Sequence, residues 1–223
     1  MKIKKEDEEK RKNLSFDEAK PTFTHLALIA LLKSKLINFI ISQNIDGLFL
    51  KANIPRRFIS ELHGNFFTDQ CNVCNSKFIR NTASETMGLK LSDRKCPRKT
   101  RPCRGVLGDT ILDWEDELPK DELKFANKYS RKSDLAICLG TTLQIRPASA
   151  LPFLAKRLNR GNVVIVNLQP TKMDSKCDLV IHDYVDNVMM LLCKELDVKI
   201  DEYNPLNDPT KRCNREPVQW RRC

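Results

Sequence analysis

The sequence predicts an α/β fold: a parallel β-sheet covered by helices, with a small cysteine-rich module inserted into it. Two observations support this prediction. Short runs of aliphatic and β-branched residues, bounded by polar residues, alternate with longer helical segments along most of the chain. Four cysteines with the spacing of metal ligands interrupt that alternation, at Cys71, Cys74, Cys96 and Cys103.

The first predicted elements precede the cysteines. Residues 1–20 are predicted to form a charged tail. Pro21 opens a helix, because proline suits the first helical position, and residues 27–32 give that helix a strongly apolar character. Residues 36–42 form a short run that is rich in isoleucine and bounded by polar residues, which predicts a buried strand.

Strands and helices alternate after the cysteines. Strands are predicted at residues 135–139, 162–166 and 179–181. Helices are predicted at residues 120–131, 148–159 and 185–196. This alternation is typical of βαβ units and therefore of a parallel sheet. Residues 197–223 mix proline, asparagine and charged residues, which predicts a basic and poorly ordered tail.

The sequence therefore predicts one discontinuous Rossmann-like domain, residues 21–70 and 105–196, interrupted by a metal module at residues 71–104. A chain of 223 residues is long enough for one such core and an insert. It contains no apolar run near 18 residues, so we expect no membrane partner. The charged residues 1–12 do not resemble a secretory signal, which favours a reducing compartment and thiols or zinc over disulfides.

Polar clusters follow three of the predicted strands. They are residues 43–46, 140–142 and 167–169. In an open parallel sheet, ligands bind along the edge formed by the carboxyl ends of the strands. Three clusters at the same edge predict a ligand cleft there.

The four cysteines form a C-x2-C pair, a 21-residue loop and a C-x6-C pair. Paired thiols separated by a loop suit a tetrahedral site in which four sulfur atoms hold one zinc ion, and such a closed site is structural. The alternative is a set of unrelated buried thiols, since the second pair is wider than usual. Cys138, Cys177 and Cys193 lie in apolar segments and are assigned to the core.

Four further residues are candidates for chemistry, each with a structural alternative. An imidazole at His63 could take a proton from a sugar hydroxyl, although a histidine before a glycine is more often a loop or core residue. Asn44 and Asp46 could bind an amide and a ribose hydroxyl, or could merely end a turn into Gly47. Trp114 could form an apolar wall for a substrate side chain, beside acids that favour basic peptides, or could be a partly buried aromatic.

The net charge of +10 is concentrated in the predicted metal module. Residues 71–104 hold nine Lys or Arg and two acids, a net charge of +7, or about +5 with four thiolates and one Zn²⁺. The C-terminal tail adds Lys211, Arg212, Arg215, Arg221 and Arg222. Such a surface suits nucleic acid, and nucleosomal DNA or the nucleosome surface is the expected partner. The alternative is an ordinary solvated surface.

Taken together, these motifs resemble the sirtuins, the NAD-dependent protein deacylases. The resemblance rests on residues 42–47 (Ser-Gln-Asn-Ile-Asp-Gly), 61–64 (Glu-Leu-His-Gly), the four cysteines, 140–142 (Gly-Thr-Thr) and 166–169 (Val-Asn-Leu-Gln). Residues 108–116 and 167–172 resemble the nuclear, class IV branch of the family. The similarity runs from about residue 16 to about residue 196 and implies a Rossmann-like NAD-binding domain.

The resemblance implies a role for each matching residue. Ile45 and Asp46 would hold the nicotinamide carboxamide, and Gln43 and Asn44 would contact the nicotinamide ribose. His63 would be the general base on a ribose hydroxyl, with Asn44 and Asp46 completing the catalytic group. The adenosine half of the cofactor would be lined by Gly140, Thr141, Thr142, Asn167, Gln169 and Val185.

Substrate and products are implied in the same way. Trp114 would border the acyl-lysine channel, and the substrate peptide would add a strand between the stretch near Leu112 and residues 144–146, which include Ile145. Products would be nicotinamide, free lysine and O-acyl-ADP-ribose, with ADP-ribosyl transfer as a secondary activity. The resemblance also implies histone tails or other nuclear proteins as substrates and the nucleus as the location.

The sequence departs from the family in one respect. Sirtuins begin their core with a strand, a Gly-Ala-Gly turn and a loop carrying Asp-Phe-Arg, whereas the first glycine here is Gly47. Glycine lets backbone N–H groups approach a pyrophosphate at a helix start, so the residues before Pro21 do not supply that turn. A parallel sheet without an inner strand leaves buried ladder groups unpaired, at about 1–3 kcal/mol each. We therefore expect residues 1–223 alone to bind NAD weakly and to deacylate slowly or not at all.

Two functions remain open on the sequence. The first is an NAD-dependent protein-lysine deacylase, which Asn44, Asp46, His63 and Trp114 favour. The second is a catalytically impaired, zinc-containing chromatin-binding remnant of such an enzyme, which the missing glycine turn favours. A zinc-ribbon nucleic-acid protein of separate ancestry would leave the three polar clusters unexplained.

Overall fold

The computed structural model of the chain describes residues 15–99 and 102–212. Expectations about residues 1–14, Arg101 and residues 213–223 lie outside that part of the chain. The α-helices are α1 (Phe23–Lys33), α2 (Leu48–Lys51), α3 (Lys120–Lys132), α4 (Pro152–Asn159) and α5 (Val185–Glu195). The strands are β1 (Ile40–Ser42), β2 (Ile59–Glu61), β3 (Thr68–Cys71), β4 (Lys77–Ile79), β5 (Leu91–Lys95), β6 (Val106–Asp109), β7 (Leu135–Leu139), β8 (Asn162–Val166) and β9 (Leu179–Ile181). Among the described helices, we find none that combines the length and apolarity needed to cross a bilayer.

The strands form three sheets. β1 pairs with β2 in parallel, and β7, β8 and β9 form a second parallel sheet. Parallel strands need a crossover connection, and α4 joins β7 to β8 in this way. The third sheet is antiparallel, in the order β4, β3, β6, β5, and carries the four cysteines. We call residues 68–109 the cysteine module; it extends a few residues beyond the predicted limits of 71–104. The predicted α/β fold with an inserted module is confirmed.

The parallel strands are divided between two sheets in the described part of the chain. There β7 pairs with β8 on one edge only, and its residues Leu135 and Ile137 are exposed. Inner strands of parallel sheets are normally buried on both faces. Within the described residues, β7 therefore lacks the cover that an inner parallel strand usually has.

The helix predicted to open at Pro21 starts at Phe23, and two other elements differ from their predicted limits by more than two residues. The strand predicted at residues 36–42 is confined to β1, because only Ile40–Ser42 pair with β2. The helix predicted at residues 148–159 is a 3₁₀ turn, Ala148–Ala150, followed by α4, which starts at Pro152. Proline lacks the N–H that would continue a preceding helix, but it suits the first turn of a new one.

One helical layer is shared by both parallel sheets. α1 packs against α5 through Ala27, Leu31 and Met189, which are buried. Ala27 and Leu31 are one helical turn apart and therefore lie on the same face of α1. Ile37, just before β1, and Leu139, at the end of β7, pack on this same cluster. The two sheets are thus held against a common pair of helices.

The C-terminal segment is ordered as far as the structure describes it, unlike the poorly ordered tail predicted for residues 197–223. Asp208 is fully buried and accepts hydrogen bonds from Tyr203 Oη at 2.7 Å and from the backbone N–H of Thr210 at 2.8 Å. Asn81, in the cysteine module, donates to the carbonyl of Thr210 at 2.9 Å. The polar composition that suggested disorder instead supplies local hydrogen bonds that fix the chain.

Part of the predicted N-terminal tail is also fixed to the domain. Lys51 is only 2% exposed, and its Nζ donates to the carbonyls of Phe16, Asp17 and Ala19 at 2.6, 3.1 and 2.9 Å. The same ammonium lies 4.5 Å from the centre of the Phe67 ring, a cation–π contact. This buried lysine therefore ties residues 16–19 to α2.

Candidate active site and metal centre

The structure places His63 at the shared edge of β1 and β2. The two strands are parallel, so their carboxyl ends lie side by side, and the N–H of Leu62 donates to the carbonyl of Ser42 at 2.9 Å. His63 Nδ1 lies 3.0 Å from the carbonyl oxygen of Gln43. A carbonyl can only accept, so Nδ1 carries the hydrogen, and in the neutral ring the lone pair is then on Nε2. The half-buried imidazole is thereby oriented as a proton acceptor through Nε2.

The turn at residues 43–47 brings the predicted nicotinamide-side residues next to His63. The N–H of Asn44 donates to Ser42 Oγ at 3.1 Å, and the N–H of Leu48 donates to Asp46 Oδ1 at 2.9 Å. Asp46 thus has the turn-ending role that the sequence offered as an alternative, and its carboxylate retains further acceptor positions. Asn44 is exposed, whereas Gln43, Ile45 and Asp46 are half-buried. These polar groups border a surface that a ligand can reach.

Gly64, which follows His63, occupies a position that only glycine fits. Its φ is +78°, and a Cβ placed there would lie 1.7 Å from the backbone oxygen of Thr110. On the other side, the N–H of Leu112 donates to the carbonyl of His63 at 3.1 Å. The loop is therefore held between the turn after β1 and the stretch after β6.

We expect Gly64→Ala to destabilise the protein by more than about 3 kcal/mol, because the clash with Thr110 adds to the strain of a positive φ. Gly88→Ala is the matched control, since Gly88 has a φ of +85° but its added Cβ would meet nothing closer than 3.8 Å. The control should lose only about 1–2 kcal/mol from backbone strain. Urea unfolding of both variants measures the difference, and equal losses would contradict the clash.

The remaining predicted cofactor residues follow β7 and β8, except Val185, which is the first residue of α5. The N–H of Gly140 donates to the carbonyl of Val166 at 2.9 Å, and a Cβ at Gly140 would lie 3.6 Å from Val185. Asn167 Nδ2 donates to the carbonyl of Gln169 at 2.7 Å. The other two predicted residues of this group follow Gly140 directly, Thr141 being half-buried and Thr142 exposed. The structure therefore forms two polar clusters, one at β1–β2 and one at β7–β9, each at the carboxyl ends of parallel strands.

The predicted substrate residues lie at the surface. Trp114 is 90% exposed, so it is not the partly buried aromatic that the sequence allowed. Ile145 is 49% exposed. Trp114 is two residues from Leu112, whose N–H contacts the His63 carbonyl. The exposed tryptophan is thus adjacent in sequence to a segment that touches the His63 loop.

The four cysteine sulfurs converge as their spacing predicted. All four Sγ atoms lie within 4.8 Å of one another, with 3.7 Å between Cys71 and Cys103 and 3.8 Å between Cys74 and Cys96. A tetrahedral ion with Zn–S bonds of about 2.3 Å requires sulfur separations of roughly 3.8 Å. A Cβ at Gly105 would lie 2.5 Å from Cys71 Sγ, so glycine there makes room for the cluster. The donor set and its spacing fit one structural zinc ion.

The thiols differ in their readiness to ionise. Burial opposes ionisation of Cys74, but hydrogen bonds from Ser76 outweigh it and lower the pKa of this thiol to about 6. Burial raises the pKa of Cys96 to about 12. Metal ligation requires thiolates, so Cys74 is prepared for the ion at neutral pH while Cys96 must release its proton on binding.

Sequence reasoning missed a group of buried charges beside the His63 loop. These residues are Arg56, Glu61, Lys77 and Glu122, which lie in or next to four different elements. A hint was present in Glu61, a carboxylate at the end of a strand that is buried throughout. Its partners could not be found from sequence, because Glu122 lies 61 positions further along the chain.

Comparisons with known proteins identify the family of the chain. The model of the Sir2 family matches residues 3–147. The NAD-dependent protein deacetylase Sirt6 of Drosophila melanogaster is 47% identical over 213 residues, which cover 93% of this chain and 66% of that protein. The NAD-dependent protein deacetylase SRT1 of Arabidopsis thaliana is 45% identical over 191 residues, or 86% of this chain and 40% of that protein. The chain thus spans less than two thirds of the length of these relatives.

Solved structures show the same fold. The structure of Sir2Tm bound to a propionylated peptide is 28% identical, with a TM-score of 0.62, and the match covers 82% of this chain and 74% of that one. The crystal structure of a Sir2 homologue–NAD complex is 25% identical, with a TM-score of 0.67, and the match covers 82% of this chain and 67% of that one.

Proposed function

Because the chain belongs to the Sir2 family, we propose that it is an NAD-dependent protein-lysine deacylase. The observation that carries this proposal is the His63 imidazole, which is held 3.0 Å from the Gln43 carbonyl with Nε2 as the acceptor nitrogen. An imidazole in that state can take a proton from a ribose hydroxyl at neutral pH. The relatives' names and the bound ligands of the solved structures point to the same reaction class.

The residues present fit a dinucleotide along the strand ends. On the nicotinamide side, Gln43 and Asn44 would contact the ribose, and Ile45 and Asp46 would hold the carboxamide. The turn at Gly140, where a Cβ would fill space next to Val185, supports an adenosine side. That side would be completed by Thr141, Thr142, Asn167, Gln169 and Val185. When bound, NAD supplies an activated ribose that accepts the acyl group as nicotinamide leaves.

His63 and its neighbours perform the protein's part of the reaction. The Nδ1–H to Gln43 hydrogen bond fixes the ring plane, and Nε2 would accept the proton of a ribose hydroxyl of the bound cofactor. Asp46 and Asn44 orient the cofactor at the same turn. The proton is then available on Nε2 for the departing lysine amine.

The exposed surface around Trp114 supports a basic peptide substrate. Trp114 and Ile145 are exposed apolar side chains, and the acidic residues Asp113, Glu115, Asp116 and Glu117 surround the tryptophan in sequence. An extended peptide could add a strand beside residues 112–114 with its acyl-lysine against Trp114. Lysine-rich histone tails have the matching charge, and a nuclear location follows from that substrate class.

Product analysis tests the proposal. Zinc-loaded protein would be incubated with an acetyl-lysine peptide and millimolar NAD, because we expect weak cofactor binding. Mass spectrometry should find nicotinamide, deacetylated peptide and O-acetyl-ADP-ribose in equal amounts. Deacetylation without nicotinamide release would reject the mechanism, and ADP-ribosylated protein would reveal the secondary transfer activity.

The divided parallel sheet favours a second candidate function. In the described residues the sheet of β1 and β2 is separate from that of β7 to β9, and residues 1–223 contain no Gly-Ala-Gly turn. On this basis the chain would be a catalytically impaired, zinc-containing chromatin-binding protein. Chromatin binding that persists in the absence of any product in the assay above would support it.

The cysteine module supports contact with nucleosomal DNA, although fewer cations are available than the sequence suggested. Lys77 pairs with Glu122, and Arg80 and Arg94 pair with the buried Asp69. Among the described residues of the module, four other basic side chains are exposed, namely Lys90, Lys95, Lys99 and Arg104. These four are the side chains we propose to contact phosphates.

We expect the double variant Lys95→Glu, Lys99→Glu to weaken DNA binding and to lower the slope of log K against log salt by roughly 2, because two phosphate contacts are lost. Lys194→Glu, an exposed site on α5, is the control with the same kind of charge change. Fluorescence anisotropy at several salt concentrations gives both quantities. A slope that stays the same in the double variant would place the DNA elsewhere.

A further inference from the structure

Four charged residues form a quartet where the cysteine module meets β2 and α3; Glu61 and Glu122 are buried, and Arg56 and Lys77 are half-buried. Arg56 Nη1 lies 2.7 Å from Glu61 Oε2, and Arg56 Nη2 lies 2.9 Å from Glu122 Oε1. Lys77, from β4 of the cysteine module, brings its Nζ to 3.4 Å from the same Glu122 oxygen. The side chains of Arg56, Glu61 and Glu122 are 9, 9 and 1% exposed. Two cations and two carboxylates thus pair in one site, in which Glu122 is almost inaccessible and the Lys77 side chain is 17% exposed.

The buried charges are costly to separate. Removing one partner of a buried ion pair costs about 3–5 kcal/mol, because the other charge is left uncompensated. Lys77 illustrates the balance: burial lowers the pKa of its ammonium, and the Glu122 carboxylate opposes that shift. The quartet is therefore a rigid junction rather than a set of solvated surface pairs.

The quartet contacts the His63 loop, residues 61–65, from both of its ends. At the start, the N–H of Glu61 donates to Glu122 Oε2 at 3.3 Å. At the end, Asn65 Nδ2 donates to Glu61 Oε1 at 2.8 Å. His63 lies at the middle of this five-residue span. Glu122 and Arg56 are thus connected, through Glu61, to the backbone that carries the His63 imidazole.

A cavity of about 550 Å³ adjoins the quartet, lined in part by Glu61, Lys77 and Glu122 together with Cys74 of the metal site. Close packing normally fixes how two structural units sit against each other. Here side chains do not fill the junction, so the ionic contacts of Lys77 and Glu122 fix the cysteine module relative to the His63 loop. Leu112, beside which the substrate peptide is predicted to lie, also lines this cavity, whereas the residues predicted to bind the cofactor do not.

We propose that Glu122 and Lys77 are positioning residues: through Glu61 and the 61–65 backbone they hold the His63 imidazole against the Gln43 carbonyl and couple that position to the zinc-bound module. The consequence for turnover rests on the proposed deacylase function. The expected change in the position of the His63 imidazole does not depend on that function, because it concerns only contacts within this chain.

The test compares Glu122→Gln and Lys77→Met with Asp121→Asn. Asp121 neighbours Glu122 on α3 and borders the same cavity, but it is exposed and is not part of the quartet. The chain has three histidines, so imidazole NMR signals can be assigned by single His→Ala variants. Zinc content is measured on every sample. Lys77→Met keeps the aliphatic stem and is the milder change if Glu122→Gln does not fold.

We expect the His63 imidazole signals to shift in Glu122→Gln and Lys77→Met at full zinc occupancy, while His25 and His182 stay unchanged and Asp121→Asn matches the wild type. Where turnover is measurable, kcat should fall on the order of 10- to 100-fold with the peptide KM nearly constant. His63 signals identical to the wild type in both quartet variants would overturn the proposal. So would equal shifts of all three histidines or zinc loss, which indicate general destabilisation. A wild type without turnover whose His63 signals respond as expected would reject the deacylase function and keep the positioning role.

Discussion

Replacing His63 with alanine is expected to lower the deacylation rate by about 10²–10⁴-fold, the range that general acid–base catalysis contributes. The physical reason is the orientation of the ring: Nδ1 is committed to the Gln43 carbonyl, which leaves Nε2 as the acceptor for the ribose proton. No other imidazole can substitute in that place. His25 is occupied at the start of α1, where its Nδ1 lies 2.8 Å from Thr22 Oγ1, and His182 lies after β9.

The alanine variant should remain folded and zinc-bound. The side chain of His63 makes one hydrogen bond, so its loss should cost no more than about 1.5 kcal/mol of unfolding free energy. Steady-state kinetics on peptide and NAD, together with zinc content and urea unfolding, separate the two effects. A variant with wild-type kcat would remove His63 from the mechanism, whereas loss of zinc or of folding would show that the residue is structural.

Substituting Cys96 with serine is expected to have the largest effect on stability. Cys96 supplies one of four ligands, and the apolar core of the cysteine module consists mainly of the ligands themselves with Phe78 and Leu107. Structural zinc sites in small peptides contribute about 10–16 kcal/mol of binding free energy, which is also folding free energy. The variant should lose its zinc and the packing of β3 to β6. A loss of even 4 kcal/mol corresponds to a fall in Tm of roughly 8–16 °C for a domain of this size.

Cys177→Ser is the matched control for that substitution. Cys177 is half-buried and lies outside the four-sulfur cluster, so this variant should keep one zinc per chain. Elemental analysis and thermal unfolding measure both variants. Full zinc occupancy in Cys96→Ser would show that the four sulfurs do not act as one site.

The features that could be predicted from sequence are those whose residues lie close together in the chain. The C-x2-C and C-x6-C pairs predicted the sulfur cluster, and polar residues after aliphatic runs predicted the clusters at Gln43 and Gly140. These signals are local, since strand ends and metal pairs are set by neighbours in the chain. The resemblance to the sirtuins then agreed with the match to the Sir2 family.

The parts that sequence could not supply depend on distant contacts. The backbone carbonyl of Gln43 as the partner of His63, and the Arg56 and Lys77 partners of Glu122, appear only when separate elements are brought together. The prediction of disorder for residues 197–212 was wrong because composition does not show hydrogen bonds between specific residues. Here Thr210 donates its N–H to Asp208 and accepts from Asn81 of the cysteine module. The start of α4 at Pro152 could have been predicted from sequence, because proline in the interior of a helix interrupts it.

The central claim is that the strand ends around His63 form one cofactor site. Titrating NAD into ¹⁵N-labelled, zinc-loaded protein and following the backbone amide signals tests it most directly, because weak binding and slow turnover do not prevent the measurement. We predict that shifts concentrate at residues 43–47, 63–64, 140–142 and 167–169, and that they reach Val185. Shifts confined to the cysteine module, or none at millimolar NAD, would contradict the claim.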